Sequence, residues 1–120
     1  MKLNPNCIRD ILIAVETHSD FHHRTEYKQE APFDSLSAYS HEEIIYHIKQ
    51  CDESGLIYDV HYYNGGTHTD IRDLSPKGHE FLTNVRNDSV WKKALSKGAG
   101  ASLTILVELA KEIAFRQFFG

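Results

Sequence analysis

The segment from Ser40 to Leu74 constrains the fold most, because it specifies a helix, a stop and two strands in immediate succession. Ser40 and Glu43 have the spacing of a capping box, in which serine and glutamate satisfy each other's exposed amides. Gly55 supplies the left-handed residue that ends many helices. Between these signals, apolar side chains recur at helical spacing: Ile44, Ile48 and Cys51. The sequence therefore predicts a helix that begins after Ser40 and ends at Ser54.

Strand-forming residues dominate the stretch from Leu56 to Leu74, and Asn64-Gly65-Gly66 interrupts it. Asparagine and glycine tolerate the positive φ that a tight hairpin turn requires. The pattern predicts a two-stranded hairpin. A new helix should follow at once, because Ser75 is a good cap and Pro76 suits the first helical position.

The other elements before the C-terminus are predicted with simpler signals. They are a helix from Asn4 or Asn6 to about Thr17, a short strand near residues 24–28, one helical turn near residues 34–39, and a helix after Ser75 that breaks near Asn87-Asp88.

A flexible joint, Lys97-Gly98-Ala99-Gly100, precedes a last helix that Ser102 can cap and that runs to about Phe118. This helix carries two apolar stripes, one of Leu103, Leu106, Val107, Ala110, Ala114 and Phe118 and one of Ile105, Leu109 and Ile113. Two stripes need two covering surfaces. We therefore predict a domain over residues 1–97 and an amphipathic helix over residues 98–120 that packs on it and pairs with a second copy as a homodimer.

The string from His47 to Ile57 resembles the end of the third helix of winged helix-turn-helix proteins, where a glycine-leucine-isoleucine exit leads into the wing. More particularly, four segments resemble an uncharacterised family found in bacteria and in phage-derived regions of their genomes: Tyr46-His47, residues 55–57, residues 74–82 and residues 87–91. The resemblance implies a mainly α fold with a small β-hairpin (α+β), namely a winged helix-turn-helix domain followed by C-terminal helices. It implies no activity.

Winged-helix proteins commonly bind double-stranded DNA, and the residues for this role can be named. The recognition helix offers Ile45, Tyr46, Lys49 and Gln50, and the wing offers Tyr62, Asn64, His68 and Arg72. The leading hypothesis is a small DNA-binding transcriptional regulator of bacterial or phage origin.

Charge keeps an alternative open. The net charge is −4, and three glutamates share the surface of the recognition helix: Glu42, Glu43 and Glu53. A DNA-binding surface usually gathers lysine and arginine instead. The basic residues lie more in the wing half, since residues 61–120 hold 8 Lys and Arg against 6 Asp and Glu, whereas residues 1–60 hold 5 against 11. The alternative is a non-enzymatic protein-interaction module on the same scaffold.

Other function classes find no support in the sequence. No phosphate-binding glycine loop or nucleophile motif is present, so we predict neither catalysis nor a cofactor. The eight histidines lack the spacing of a zinc site, and we predict no metal. Cys7 and Cys51 fall at apolar helix positions and are predicted to be buried free thiols of a cytoplasmic protein. Charged residues interrupt the last helix, so it is not expected to enter a membrane.

Overall fold

The structure, a computed structural model, describes all 120 residues and is mostly helical with one small sheet. Five α-helices and three strands follow one another with two single helical turns between them. The elements are α1 (Pro5–His18), β1 (Thr25–Lys28), a turn at Asp34–Leu36, α2 (His41–Glu53), β2 (Ile57–Tyr63), a turn at Asn64–Gly66, β3 (His68–Leu74), α3 (Pro76–Arg86), α4 (Asp88–Lys97) and α5 (Leu103–Phe119). The predicted α+β class and the predicted order of elements are confirmed.

The capping box at the start of α2 is only half formed. Ser40 Oγ accepts the N–H of Glu43 at 3.1 Å, as predicted. The Glu43 carboxylate does not accept the backbone N–H of Ser40, the second hydrogen bond of a capping box. It accepts a hydrogen bond from the side chain of Asn4 at 3.3 Å instead. Asn4 is the N-cap of α1, so this contact joins the beginnings of two helices. The predicted buried face of Ile44, Ile48 and Cys51 is confirmed, and His47 is buried beside it.

The sheet has three strands in the order β1-β3-β2, all antiparallel. The predicted hairpin of β2 and β3 is present, but a two-stranded sheet was too small a prediction. The short strand expected near residues 24–28 pairs with β3, with Thr25 opposite Ile71. Thr25 and Tyr27 are buried while Glu26 and Lys28 are exposed, which is the alternation of a strand with one covered face.

Helix α3 lies close to the start of β2. Ser75 Oγ caps the helix by accepting the N–H of Gly78 at 3.0 Å, and the N–H of Ser75 donates to the carbonyl of Leu56 at 3.0 Å. A Cβ at Gly78 would lie 1.9 Å from that same carbonyl oxygen, so only glycine fits. The predicted break occurs at Asn87, whose side chain caps α4 through Val90.

Helix α5 buries one broad face and leaves the opposite side exposed. The buried residues are Leu103, Leu106, Val107, Ala110, Ile113 and Ala114. The boundary between buried and exposed residues does not follow the two predicted stripes, since Phe118 of the first is 60% exposed and Ile113 of the second is buried. Phe118 lies one turn beyond Ala114, near the end of the helix. The remaining members of the predicted second stripe, Ile105 and Leu109, are exposed and half-buried.

One apolar core of 26 buried residues includes side chains from all five helices and all three strands. The predicted division at residue 97 remains a prediction. None of the five helices combines the length and the apolar composition needed to cross a membrane.

Candidate partner-binding surface

The solvent-facing side of α2 lies opposite its buried face and has a mixed, net acidic character. Lys49, Glu42 and Glu53 are exposed, and Tyr46 and Gln50 are half-buried. The aromatic ring of Tyr46 stands edge-on to His47, with ring centroids 4.9 Å apart. Three of the four residues predicted for the recognition helix, Tyr46, Lys49 and Gln50, therefore share one surface.

Ile45, the fourth predicted residue of this helix, is directed toward the hairpin instead. It is half-buried against the core, and a Cβ added at Gly66 would lie 3.2 Å from Ile45 Cδ1. Gly66 is itself buried and has a φ of 91°. The turn of the hairpin thus rests on Ile45, which makes this side chain a packing residue.

The hairpin also contacts α2 farther along the helix through Tyr62. The hydroxyl of Tyr62 donates to Asp52 Oδ2 at 3.1 Å, and burial together with the Asp52 charge raises the pKa of this tyrosine. Lys49 Nζ lies 5.6 Å from the centre of the Tyr62 ring and 3.6 Å from Glu53 Oε1. The one cation on the exposed side of α2 is therefore placed between a carboxylate and an aromatic face.

Arg72, predicted as a wing contact to DNA, is occupied within its own chain. Its guanidinium donates to the carbonyls of Asp20, Phe21 and His23 at 3.0, 2.6 and 3.3 Å. The Asp20 carboxylate accepts the backbone N–H groups of His22 and His23, and its hydrogen bond with the His23 ring lowers its pKa. Arg72 thus holds the loop after α1 against β3.

The other predicted wing residues lie apart from Arg72. Asn64 is exposed at the turn with a φ of 52°, and its carbonyl accepts from Thr67. His68 Nε2 lies 3.4 Å from Glu26 Oε1, without the geometry of a hydrogen bond, and its ring is 5.5 Å from that of Tyr63. Tyr62 and His68 lie at the turn end of the hairpin but on opposite faces of the sheet, since His68 is paired with Tyr63, the strand neighbour of Tyr62.

Arg24 was not singled out from the sequence, yet it connects all three strands. It lies just before β1 and donates to Asp70 on β3 and to Asp59 on β2. These hydrogen bonds hold the pKa of the Asp59 carboxyl below its ordinary value, with Arg24 as the largest cause and His61 next. Asp59 has a φ of 52°, which breaks the regular strand where Arg24 reaches it. Because Asp59 and Asp70 are 35 and 46 residues away from Arg24, no local sequence pattern predicts these hydrogen bonds.

The lysines that form no ion pair are concentrated on a different element. Lys92, Lys93 and Lys97 are all exposed on α4, whereas the ion-paired lysines are Lys49 and Lys111. Lys77 Nζ, near the end of the hairpin, donates to the carbonyl of Ser54 at 3.0 Å. Lys49, Arg72 and Lys77 each contact carboxylate, aromatic or carbonyl groups of their own chain.

The cysteines and histidines do not assemble into a metal site. No group of three His, Cys, Asp or Glu side chains has an arrangement that could hold a metal ion. Cys7 and Cys51 are both buried free thiols, as predicted. Burial raises the pKa of the Cys7 thiol to about 12, and it raises the pKa of Cys51 as well. Neither thiol is therefore prepared for nucleophilic chemistry.

Comparisons with known proteins identify relatives without an assigned activity. A family described as "Hypothetical protein (DUF2513)" matches residues 2–103 of the chain. The chain is also similar to an "Uncharacterized protein" of Haemophilus influenzae, with 30% identity over 115 residues that cover 95% of this chain and 92% of that protein. No solved structure matches significantly.

Proposed function

This chain belongs to the DUF2513 family of hypothetical proteins, and we propose that it is a non-catalytic winged-helix module that binds a protein partner through the exposed side of α2. The winged-helix assignment is supported by the order of its elements. Helix α2 ends just before Gly55, which has a positive φ, and leads directly into an antiparallel hairpin. A single helical turn at Asp34–Leu36 precedes that helix. The hairpin packs back on the helix through Ile45 and Tyr62.

The observation that carries the proposal is the charge of the α2 surface. Glu42 and Glu53 are exposed there, and Lys49, the one lysine of the helix, lies beside Glu53. Arg72 and Lys77, which a DNA-binding wing would direct at phosphates, donate to carbonyls of their own chain instead. Phosphate groups approaching this surface would meet two exposed carboxylates and one lysine, which already pairs with Glu53.

The same surface suits a protein partner with basic side chains. Tyr46 and Gln50 are half-buried and flanked by acids, which gives a small amphipathic centre with a charged rim. Aromatic residues in such a position often contribute a large share of binding energy. Lysine or arginine on the partner would pair with Glu42 and Glu53, so complementary charge would favour the encounter.

Site-specific photo-crosslinking in cells of the source organism tests this proposal. A photoreactive phenylalanine at position 46 should yield one discrete protein adduct, because this position lies at the centre of the surface. The same group at position 96 on α4, also solvent-facing, serves as the matched control. Charge reversal of Glu42→Lys together with Glu53→Lys should abolish the adduct at position 46 without altering the circular dichroism spectrum. Equal adducts at both positions, or an adduct unaffected by charge reversal, would contradict the proposal.

DNA binding is the second candidate, and one arrangement favours it. Tyr46, Lys49 and Gln50 lie on one solvent-facing side of a helix adjoining a hairpin, where a winged-helix regulator would contact base edges and phosphates. Fluorescence anisotropy with duplex fragments of the host genome at several salt concentrations measures this directly. A sequence-specific complex that Lys49→Ala plus Gln50→Ala weakens would support DNA binding and displace the first proposal.

Two further parts of the proposal concern the state of the protein in the cell. We propose that it functions in the cytoplasm, where the thiols of Cys7 and Cys51 would stay reduced. We also propose that α5 mediates a homodimer, because apolar side chains remain exposed along it.

A further inference from the structure

We infer that two copies of the chain associate through antiparallel α5 helices, with the two-fold axis at Glu112. This inference rests on the self-association included in the proposed function and specifies its geometry. It is independent of what α2 binds, because the residues involved lie on α5 alone.

Large apolar side chains are exposed on the side of α5 that faces away from the core. Ile105 is 53% exposed, Phe115 63% and Phe119 80%, while the opposite side of the helix is buried in the core. The rings of Phe115 and Phe119 already contact each other, with centroids 5.4 Å apart. Burying these side chains against a second copy would remove apolar surface from water and so favour association.

Helical spacing arranges the exposed residues as a narrow seam. Steps of three and four residues place them on one side of the helix, in the pattern of a coiled-coil interface. The seam consists of Ile105, Glu108, Leu109, Glu112, Phe115, Arg116 and Phe119. All of these residues are exposed except Leu109, which is half-buried.

The order of residues in the seam is complementary to itself when one helix is reversed. Around an axis at Glu112, residues at equal distances along the sequence face each other across the two copies. Ile105 then meets Phe119 of the second copy, and Leu109 meets Phe115. Glu108 meets Arg116, and the symmetry forms this ion pair twice. Every seam residue thus acquires a partner of suitable chemistry, except the one on the axis.

A parallel pairing of the same seam would be unfavourable. Each residue would then face its own counterpart, so Glu108 would meet Glu108 and Arg116 would meet Arg116. Like charges at such positions oppose association, whereas opposite charges select a partner and an orientation. Charge complementarity therefore selects a second copy in the antiparallel orientation.

Glu112 marks the centre of the interface because it must face itself. Within one chain its Oε1 lies 2.7 Å from Arg116 Nη2, which offsets part of its charge. Two carboxylates across the axis still repel each other. The geometry therefore predicts that Glu112→Gln strengthens the dimer, because it removes this repulsion.

Sedimentation equilibrium of the full chain and its charge variants tests the inference. Wild type should be a dimer, and Glu108→Arg alone should weaken dimerisation by about tenfold, because two attractive surface pairs become repulsive. Glu108→Arg combined with Arg116→Glu should restore the wild-type dissociation constant. Glu112→Gln should lower that constant. Lys111→Glu, on α5 beside the seam, and Phe21→Asp, at an exposed phenyl group far from it in sequence, are the controls and should leave it unchanged.

Three outcomes would overturn the inference. A monomeric wild type would remove the self-association itself, while the crosslinking result at position 46 would be unaffected. A dimer that Phe115→Asp disrupts but Glu108→Arg leaves unchanged would indicate a parallel arrangement, because like charges would face each other at position 108 before and after that substitution. A dimer insensitive to Glu108→Arg and to Phe115→Asp would place the interface elsewhere. Because the substituted side chains are exposed, circular dichroism should confirm that each variant folds.

Discussion

The buried imidazole of His47 accepts the backbone N–H of Asn4 through Nε2 at 2.8 Å, across 43 residues of sequence. A backbone amide can only donate, so Nε2 carries no proton. The proton must lie on Nδ1, which is 2.7 Å from the carbonyl of Glu43 and donates to it. Asn4 Nδ2 in turn donates to the Glu43 carboxylate. His47 therefore fastens the N-terminus of α1 to the first turn of α2.

His47→Leu should destabilise the fold by about 1 to 3 kcal/mol, because the N–H of Asn4 and the carbonyl of Glu43 would each lose the imidazole as a hydrogen-bond partner. Leucine keeps most of the volume, so the loss reports the hydrogen bonds rather than a cavity. Urea denaturation followed by circular dichroism measures the free energy of unfolding. His79→Leu is the control, since His79 is exposed on α3 and its substitution should change that energy by less than about 0.5 kcal/mol. Equal effects of the two substitutions would contradict the role of His47.

Local signals predicted the elements well, and long-range contacts explain what they missed. Ser40, Gly55 and Ser75 act through neighbours within a few residues, so their effects can be recognised in the sequence. The partners of His47 and Arg24 lie 43 and 46 residues away, and only the folded chain brings them together. His47 is fully buried, and its position beside an apolar stripe does not disclose which distant groups satisfy its hydrogen bonds.

Substitution of two glycines should separate a packing requirement from a backbone requirement. Gly78→Ala should destabilise the protein by about 3 kcal/mol or more, because its Cβ would collide with the Leu56 carbonyl, a backbone atom that cannot move aside. Gly55→Ala should cost only about 1 to 2 kcal/mol, since a Cβ there meets nothing within 4 Å and the penalty comes from the φ of +73°. Thermal unfolding of both variants shows which of the two is less stable. A Gly55→Ala variant less stable than Gly78→Ala would contradict the close approach of α3 to β2.

Arg72→Ala should loosen the loop between α1 and β1. Three carbonyls of residues 20, 21 and 23 would lose their charged donor, and the loop would retain only its own Asp20 hydrogen bonds. Hydrogen exchange at residues 20–23 should accelerate by on the order of tenfold or more, because hydrogen bonds to charged groups contribute about 1.5 to 3 kcal/mol. Lys28→Ala, which removes an exposed cation from β1, is the matched control. Unchanged hydrogen exchange in Arg72→Ala would show that this arginine does not hold the loop and is available to contact a partner.

The candidate surface was predicted only in part, because sequence patterns do not show which of its side chains other parts of the chain contact. Periodicity assigns Tyr46, Lys49 and Gln50 to the side of α2 away from Ile44 and Ile48, and the structure places them there. It cannot tell that the hairpin folds back along the helix, which is what covers Ile45. Arg72 shows the same limit, because its partners are backbone carbonyls, which every residue possesses. Sequence patterns identify which side chains are polar but not which ones the fold already engages.

The two buried thiols should make the protein sensitive to alkaline pH. The pKa of Cys7 rises from its ordinary value of 9.0 to about 12, chiefly because burial disfavours the thiolate and secondly because Glu43 and Asp10 lie near. A raised pKa in the folded state favours the protonated form, so this contribution to stability is complete below pH 9 and is lost as the pH rises from 9 toward 12. We expect the free energy of unfolding to fall between pH 8 and pH 10.5. It should fall less steeply in Cys7→Ala, which cannot ionise at this position.

Iodoacetamide at pH 8 should modify neither Cys7 nor Cys51 in the folded protein and both in urea, since only the thiolate reacts and neither sulfur is exposed. Parallel pH profiles for wild type and Cys7→Ala, or rapid alkylation of the folded chain, would show that the thiols are more accessible than their burial implies. The raised pKa values of Tyr39 and Tyr62 act in the same direction and remain in the variant, so the difference between the two profiles isolates Cys7.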